Sequence, residues 1–124
     1  AGIALDLTLR AHQRKAKDGG LPWSVSKGFD RSCPVSEFVP INDISDIQNL
    51  GIELEVNGEI RQAGSTSEMI FKVDQLISFI SGIFTLEPGD LVLTGTPAGV
   101  SKLNHGDRLN AKIDKIGSVS FNVA

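Results

Sequence analysis

The sequence predicts an α+β fold that is mostly β, and three observations support this class. Alternating apolar residues flank Asn57-Gly58, a dipeptide that accepts the positive φ values of a type I′ turn and is typical of a hairpin. A second alternating pair, at 109–113 and 119–123, predicts two antiparallel strands. Start and stop signals bound a helix near residues 8–17, and helical spacing occurs over 73–80. With 124 residues, the chain is long enough for one compact domain.

Residues 2–7 are predicted to form a buried strand, because isoleucine and leucine alternate there with small and polar residues. Asp6 then lies on the face opposite the leucines. Thr8 is expected to cap a helix that reaches about Lys17 and stops at Asp18-Gly19-Gly20. The chain is thus expected to open with a strand that leads directly into a helix.

Polar residues gather on this helix and in the segment that follows it. Arg10 and Gln13 are three positions apart, so they share one helical face near the start of the helix, in the neighbourhood of Asp6. Residues 21–40 contain three prolines and have irregular spacing, which predicts a long ordered loop. Lys27 lies inside this loop, and long loops without secondary structure often carry function.

The middle of the chain predicts connections around one further helix. Residues 41–50 are expected to form a short helical turn, and 64–71 a turn in which Met69 and Phe71 pack. Apolar residues over 73–80 follow helical spacing and predict a helix that packs in the core.

A turn at Pro88-Gly89 precedes a predicted strand at 90–94, which ends in the corner Gly95-Thr96-Pro97. Glycine leaves room for the close approach of a ligand, threonine adds a hydroxyl, and proline stops the strand. The corner therefore predicts a binding site at the rim of the sheet, although such turns also occur as plain connections.

Composition argues against several classes of partner. The formal net charge is −3 and no Lys/Arg cluster is longer than Arg14-Lys15, which argues against nucleic-acid binding. No apolar run approaches the roughly 18 residues of a membrane span, so a soluble protein is expected. The single cysteine, Cys33, excludes an internal disulfide, indicates a reducing compartment and is expected to be a buried bystander. The sequence begins with an apolar segment and not with Met, and it is interpreted as part of a longer polypeptide.

Four motifs, in their order along the chain, resemble the fumarylacetoacetate hydrolase family. They are Ala4–Gln13 (ALDLTLRAHQ), Lys27-Gly28-Phe29, Thr66–Phe71 (TSEMIF) and Leu86–Pro97 (LEPGDLVLTGTP). The similarity is strongest to acylpyruvate hydrolases, oxaloacetate decarboxylases and homoprotocatechuate-pathway isomerase/decarboxylases. It implies that residues 1–124 are the C-terminal part of a single catalytic domain whose upstream segment is missing, within a mixed, strongly curved β-roll.

The resemblance also implies roles for individual residues. Asp6 would be one of three carboxylate ligands of Mg²⁺ or Mn²⁺. Lys27 would stabilise negative charge on the substrate in the active site, and the substrate contacts would be Arg10, Gln13, Gly95 and Thr96. The residues alone leave plainer alternatives open: Asp6 as a helix cap or a partner of Arg10, Lys27 as a solvated surface charge, and Arg10 with Gln13 as a solvent-facing helix surface.

The other two metal ligands of the family lie in an upstream His-x-Glu-x-Glu strand, a motif that this sequence lacks. Glu53-Leu54-Glu55 is not its equivalent, because no histidine precedes it and it leads into the hairpin. An exposed acidic face is expected there instead. Arg10 is followed by Ala11, where the family usually has an acidic residue, so an orienting ion pair from that position is missing. One ligand of three is therefore expected in this chain.

The implied function is metal-dependent cleavage of C–C bonds in small dioxo acids through a metal-stabilised enolate, by an acylpyruvate hydrolase or a β-keto acid decarboxylase or isomerase. The alternative is a non-catalytic β-domain or an inactive fragment that keeps the fold for assembly. The isolated 124 residues are expected to have little activity, because one carboxylate cannot hold Mg²⁺ against water. A homodimer is expected, with the apolar surplus at 77–84 as the hint, in the cytoplasm or, in a eukaryote, the mitochondrion.

Overall fold

A four-stranded antiparallel sheet is the largest element of the computed structural model, which describes residues 1–124. The chain divides into two compact units, one formed by Ala4–Ser36 and the other by Ala1–Ile3 together with Glu37–Ala124. The sheet belongs to the larger unit, its order is β2-β1-β3-β4, and its strands are β1 (Gly51–Val56), β2 (Glu59–Ser65), β3 (Arg108–Ile113) and β4 (Gly117–Asn122). This mostly-β α+β architecture confirms the predicted fold class.

The β1–β2 hairpin has the predicted turn. Asn57 and Gly58 have φ values of 54° and 84°, as a type I′ turn requires. The Asn57 side chain also joins this turn to the start of β3, since its Oδ1 accepts from the Arg108 N–H at 2.9 Å and its Nδ2 donates to Asp107 Oδ1 at 2.9 Å. A hydrogen bond from the Asn104 N–H, assisted by that of Asn57, lowers the pKa of Asp107 below its ordinary value.

The core of the larger unit lies against one face of the central strands. Val56 on β1 is opposite Leu109 on β3, and the next pair on the same face is Leu54 and Ala111. Val56, Leu109 and Ala111 are each at most 4% exposed. Other buried apolar side chains of the chain are Ile3, Ile44 and Leu50.

The smaller unit contains two helices, α1 (Arg10–Asp18) and α2 (Ser24–Lys27). Helix α1 ends where predicted, because the Leu21 N–H donates to the Ala16 carbonyl at 2.8 Å and the Gly20 N–H donates to Lys17 at 3.2 Å. Neither helix is long and apolar enough to cross a bilayer, and the same holds for every other helix of the chain.

Four predictions for this first part of the chain are wrong. Residues 2–7 form only a single antiparallel bridge, between Ala4 and Val35, because the facing residues return no hydrogen bonds: Pro34 has no N–H, and the Ser32 N–H donates to Phe29. Thr8 does not cap α1, since Leu9 occupies the N-cap position and no side chain caps the helix. Residues 21–40 are not all loop, because α2 lies within them, and Cys33 is exposed instead of buried.

Helix α3 (Val73–Ser81) is present as predicted, but it is not a core helix. None of its residues is buried, and Phe79 is 71% exposed. The start of the helix is held by a hydrogen bond instead, which the Val73 N–H donates to Gln48 Oε1 at 3.0 Å. The apolar side of this helix is covered only in part, since Val73, Leu76 and Ile80 are half-buried.

The segments that flank α3 also differ from their predictions. Gly64 and Ser65 belong to β2, and the turn that follows is a 3₁₀ helix, Thr66–Glu68. Phe71, predicted to pack, is 61% exposed. Residues 90–94 have no regular structure and no strand partner, because the backbone of this chain offers them none. The short helical turn predicted in 41–50 is confirmed as a 3₁₀ helix at Ile41–Asp43.

Candidate functional site

Asp6, Thr8 and Lys27 form a polar cluster in the smaller unit. Lys27 Nζ forms an ion pair with Asp6 Oδ2 at 2.6 Å and donates a second hydrogen bond to Thr8 Oγ1 at 3.0 Å. Asp6 and Thr8 are two residues apart in an extended segment, so their side chains point to the same side. The ion pair of Asp6 is with Lys27 and not with Arg10, and Lys27 is not a freely solvated charge.

Backbone hydrogen bonds hold this cluster together. Three alternate N–H groups of the extended segment donate to carbonyls of the 26–34 segment at 2.9–3.1 Å, in the pairs Leu5 to Pro34, Leu7 to Ser32 and Leu9 to Ser26. Ser26 is 1% exposed and its hydroxyl donates to the Trp23 carbonyl at 2.6 Å. Because Ser26 is bonded to this segment, the next residue, Lys27, is held beside Asp6 and Thr8.

The cluster remains open to a ligand. The side chains of Lys27 and Asp6 are 38% and 50% exposed. Lys27 contacts only Oδ2 of the carboxylate, which leaves Asp6 Oδ1 free to bind a hard cation such as Mg²⁺ or Mn²⁺. The ammonium likewise has an N–H donor beyond the two already used.

The donors of this chain fit one position of a divalent metal site. No three His, Cys, Asp or Glu side chains of the chain lie close enough together to hold an ion. Glu53 and Glu55 are half-buried on the central strand β1, and are less exposed than predicted. Glu55 Oε2 accepts from Asn110 Nδ2 at 3.2 Å. Asp6 is therefore the carboxylate that this chain offers beside the lysine.

Arg10 and Gln13 lie together on the first turns of α1, as their spacing predicts. Arg10 Nη1 donates to Gln13 Oε1 at 3.0 Å. The guanidinium has five N–H donors and is exposed, so several donors remain for a carboxylate. Their role as substrate contacts stays a prediction.

The Gly95-Thr96-Pro97 corner lies in the larger unit. Gly95 has φ +103°, and a Cβ added there would meet no atom within 4 Å. The backbone conformation therefore requires glycine, while the space in front of it is open. Gln62 on β2 fixes the corner, because its Nε2 donates to Thr96 Oγ1 at 2.8 Å and to the Pro97 carbonyl at 2.7 Å.

Gly99, two residues past the corner, lies where this loop passes very close to the backbone of β2. It has φ +103°, and a Cβ there would lie 1.9 Å from the Arg61 carbonyl oxygen. Gly99→Ala should lower the free energy of unfolding by more than about 3 kcal/mol, because displacement of the loop adds to a left-handed backbone cost of about 1–2 kcal/mol. Urea unfolding of the protein measures this. Gly89→Ala is the matched control, with the same φ and open space, and equal losses for both variants would contradict the proposed contact.

Sequence reasoning missed two residues of these clusters. Thr8 was assigned to a helix cap, although its spacing from Asp6 in a predicted strand already placed both on one side. Gln62 has no local signal, because only the fold brings β2 beside the Gly-Thr-Pro corner.

Comparison with known proteins finds a matching family model and relatives that are about half identical to this chain. The family model described as fumarylacetoacetate (FAA) hydrolase C-terminal matches residues 2–124. The mouse oxaloacetate tautomerase FAHD1, mitochondrial, is 50% identical over 121 residues, which are 98% of this chain and 55% of that protein. The Escherichia coli oxaloacetate tautomerase YcgM is 52% identical over 114 residues, or 91% of this chain and 52% of that protein.

A solved structure agrees with the fold as well. The fumarylpyruvate hydrolase of Pseudomonas aeruginosa, determined in complex with Mn²⁺ and pyruvate, superimposes with a TM-score of 0.95 at 37% identity. The match covers 99% of this chain and 53% of that one. The chain thus spans about half the length of the relatives it matches.

Proposed function

The chain belongs to the fumarylacetoacetate hydrolase family, and from this premise we propose that it is the C-terminal part of the catalytic domain of a divalent-metal-dependent enzyme acting on small oxo acids. The observation that carries the proposal is the lysine ammonium held 2.6 Å from a carboxylate that keeps one oxygen free. A fixed cation beside a metal ligand suits a reaction in which negative charge develops on a substrate oxygen.

The chemistry follows from where the electrons go. When an oxo acid such as oxaloacetate tautomerises, a proton leaves C3 and the electron pair of that C–H bond moves into an enolate whose charge lies on the C2 oxygen. The same oxygen takes the charge when the adjacent C–C bond breaks by hydrolysis or decarboxylation. The free N–H of Lys27 would donate to this oxygen and stabilise it by several kcal/mol. One ammonium can therefore serve all three reactions.

Tautomerisation of oxaloacetate is the first candidate reaction, since two relatives with that name are 50% and 52% identical to this chain. This reaction breaks no C–C bond and corresponds to the isomerase among the reactions that the sequence predicts. Cleavage of acylpyruvates is the second candidate, supported by the 37% identity to a fumarylpyruvate hydrolase. Both substrates are small anions with an oxo group beside a carboxylate, and this is the chemical class that we propose.

Asp6 is proposed as one ligand of Mg²⁺ or Mn²⁺, with further ligands supplied by residues outside these 124. When bound, the cation would act as a Lewis acid on the substrate oxygens. The isolated 124 residues are accordingly expected to bind the ion weakly and to have little activity. The presence of Mn²⁺ in the structure of the Pseudomonas relative supports a divalent cation.

Substrate binding is assigned to the remaining predicted residues. Arg10, with Gln13 beside it, is proposed to bind a substrate carboxylate through its free N–H groups. Gly95 and Thr96 are proposed to bind a second polar group through the backbone and the hydroxyl.

A second copy of the chain is proposed to cover the exposed apolar side chains of α3 and of the residues that follow it, where Phe79, Ile83 and Phe84 are 71%, 63% and 64% exposed. The protein would then be a homodimer. We propose that it acts in the cytoplasm or, in a eukaryote, in the mitochondrion.

Turnover assays on the complete protein that contains these residues test the function. Oxaloacetate enolisation and fumarylpyruvate cleavage are followed with Mg²⁺, with Mn²⁺ and with EDTA. We expect turnover of at least one substrate that EDTA abolishes and either cation restores. Absence of turnover of both substrates by a folded, metal-loaded protein would favour the alternative of a non-catalytic domain.

A further inference from the structure

We infer that Thr8 is a positioning residue, which holds the Lys27 ammonium so that a single N–H is left for the substrate oxygen. This inference rests on the proposed function of Lys27. The Thr8 hydroxyl accepts from Lys27 Nζ at 3.0 Å and is partly buried. It was not among the residues that the sequence assigned to the site.

The number of N–H donors on the Lys27 ammonium explains why the Thr8 hydroxyl can position it. A lysine ammonium has three N–H donors in a tetrahedral arrangement. One donates to Asp6 Oδ2 at 2.6 Å and one to Thr8 Oγ1 at 3.0 Å. Two anchors from different side chains fix both the place of the nitrogen and the direction of its third N–H. With Asp6 as the only anchor, the ammonium could rotate about that contact, and its remaining donors would have no fixed direction.

The hydroxyl is itself oriented for this contact. Thr8 Oγ1 lies 3.4 Å from the Asp6 carbonyl oxygen, which can receive the hydroxyl hydrogen. The hydrogen then points away from the lysine, and an oxygen lone pair faces the ammonium. Methyl and hydroxyl have nearly the same volume, so valine at this position would keep the shape and remove only the acceptor.

The fold does not depend on this hydroxyl. Helix α1 begins without any side-chain cap, so Thr8 has no capping role there. The backbone on both sides of Thr8 is held independently, because the Leu7 N–H donates to Ser32 and the Leu9 N–H donates to Ser26. A polar side chain that the fold does not need, and that faces the proposed catalytic cation, is expected to act through that cation.

The test uses Thr8→Val, Thr8→Ser and the control Thr85→Val, an exposed threonine of the other unit, in the complete protein with oxaloacetate and Mg²⁺. Thr8→Val should lower kcat about tenfold or more, with KM changed less than about twofold and Tm near that of the parent. Thr8→Ser should recover most of kcat, and Thr85→Val should match the parent.

Several results would overturn the inference. Full kcat in Thr8→Val would do so while leaving the proposed function intact, provided that Lys27→Met is inactive in the same assay. If Thr8→Val and Thr8→Ser lose kcat to the same extent and both have a lowered Tm, the role of Thr8 is structural instead. Full activity of Lys27→Met would remove the role proposed for the lysine, and this inference with it, whereas absence of turnover by the parent protein would remove the proposed function. If Thr8→Val does not fold, Thr8→Ala against Thr8→Ser gives the same comparison.

Discussion

Replacing Lys27 by methionine should lower kcat for oxaloacetate about a hundred- to a thousandfold in the complete protein. Methionine keeps the length and apolar stem of the side chain but removes the ammonium that lies 2.6 Å from Asp6 and has an N–H for the substrate. Because that charge is needed most when the substrate oxygen is negative, the loss should appear in kcat more than in KM. Steady-state kinetics at saturating Mg²⁺ provide both parameters.

Measuring metal binding distinguishes the loss of the Lys27 ammonium from a general disruption of the site. Removal of the ammonium takes away a cation that competes for Asp6, so Lys27→Met should bind Mn²⁺ at least as well as the parent in calorimetry. Lys15→Met is the matched control, since Lys15 is an exposed lysine of the same unit without an ion pair. A parent-like kcat in Lys27→Met would refute the role assigned to the lysine.

Asp6→Asn should lower both Mn²⁺ affinity and kcat, each by at least about a hundredfold. The amide has nearly the shape of the carboxylate and can still accept the hydrogen bond from Lys27, but it lacks the negative charge that a hard divalent cation prefers. Calorimetry with Mn²⁺ and kinetics across a range of Mg²⁺ concentrations measure the two losses. High Mg²⁺ should restore part of kcat if weak metal binding is the cause.

The control for this variant is Asp30→Asn, at an exposed aspartate of the same unit that forms no ion pair. It should match the parent in metal affinity and kcat. Asp6→Ala removes the hydrogen-bond acceptor as well, so it should lose more kcat than Asp6→Asn because Lys27 is then held by Thr8 alone. Unchanged Mn²⁺ affinity in both Asp6 variants would mean that this aspartate is not a metal ligand.

The parts of the fold that the sequence could predict are those specified by neighbouring residues. Asn57-Gly58 determines its own turn, because both residues tolerate positive φ, and the flanking alternation then pairs β1 with β2. The pairing of β3 with β4 across the 114–116 turn is equally local. The end of α1 at Gly19-Gly20 and the spacing of Arg10 and Gln13 follow the same rule.

Predictions that depended on distant partners failed. The segment 90–94 has the composition of a strand, yet a strand exists only where another backbone pairs with it, and this chain offers none there. The same holds for 2–7, because the facing residues Pro34 and Ser32 donate no hydrogen bond back to it. Apolar spacing in α3 correctly predicted a helix, but spacing does not specify what covers the apolar side.

In the candidate site too, local features could be predicted from the sequence and contacts between distant residues could not. Family motifs predict functional roles for Asp6 and Lys27, but their separation of 21 positions along the sequence hid their direct contact. The plain alternative for Asp6, an ion pair with Arg10, assumed that the nearest cation in sequence is nearest in space. The short helix α2 brings Lys27 back to the extended segment instead, and no local pattern predicted that helix.

A crystal structure of the complete protein with Mn²⁺ and oxalate, a stable mimic of a 2-oxo acid enolate, tests the central claim most directly. We expect Asp6 Oδ1 on the metal and Lys27 Nζ within hydrogen-bond distance of an oxalate oxygen, with Thr8 still bound to the same nitrogen. A metal held without Asp6, or a Lys27 ammonium that makes no contact with oxalate, would contradict the account.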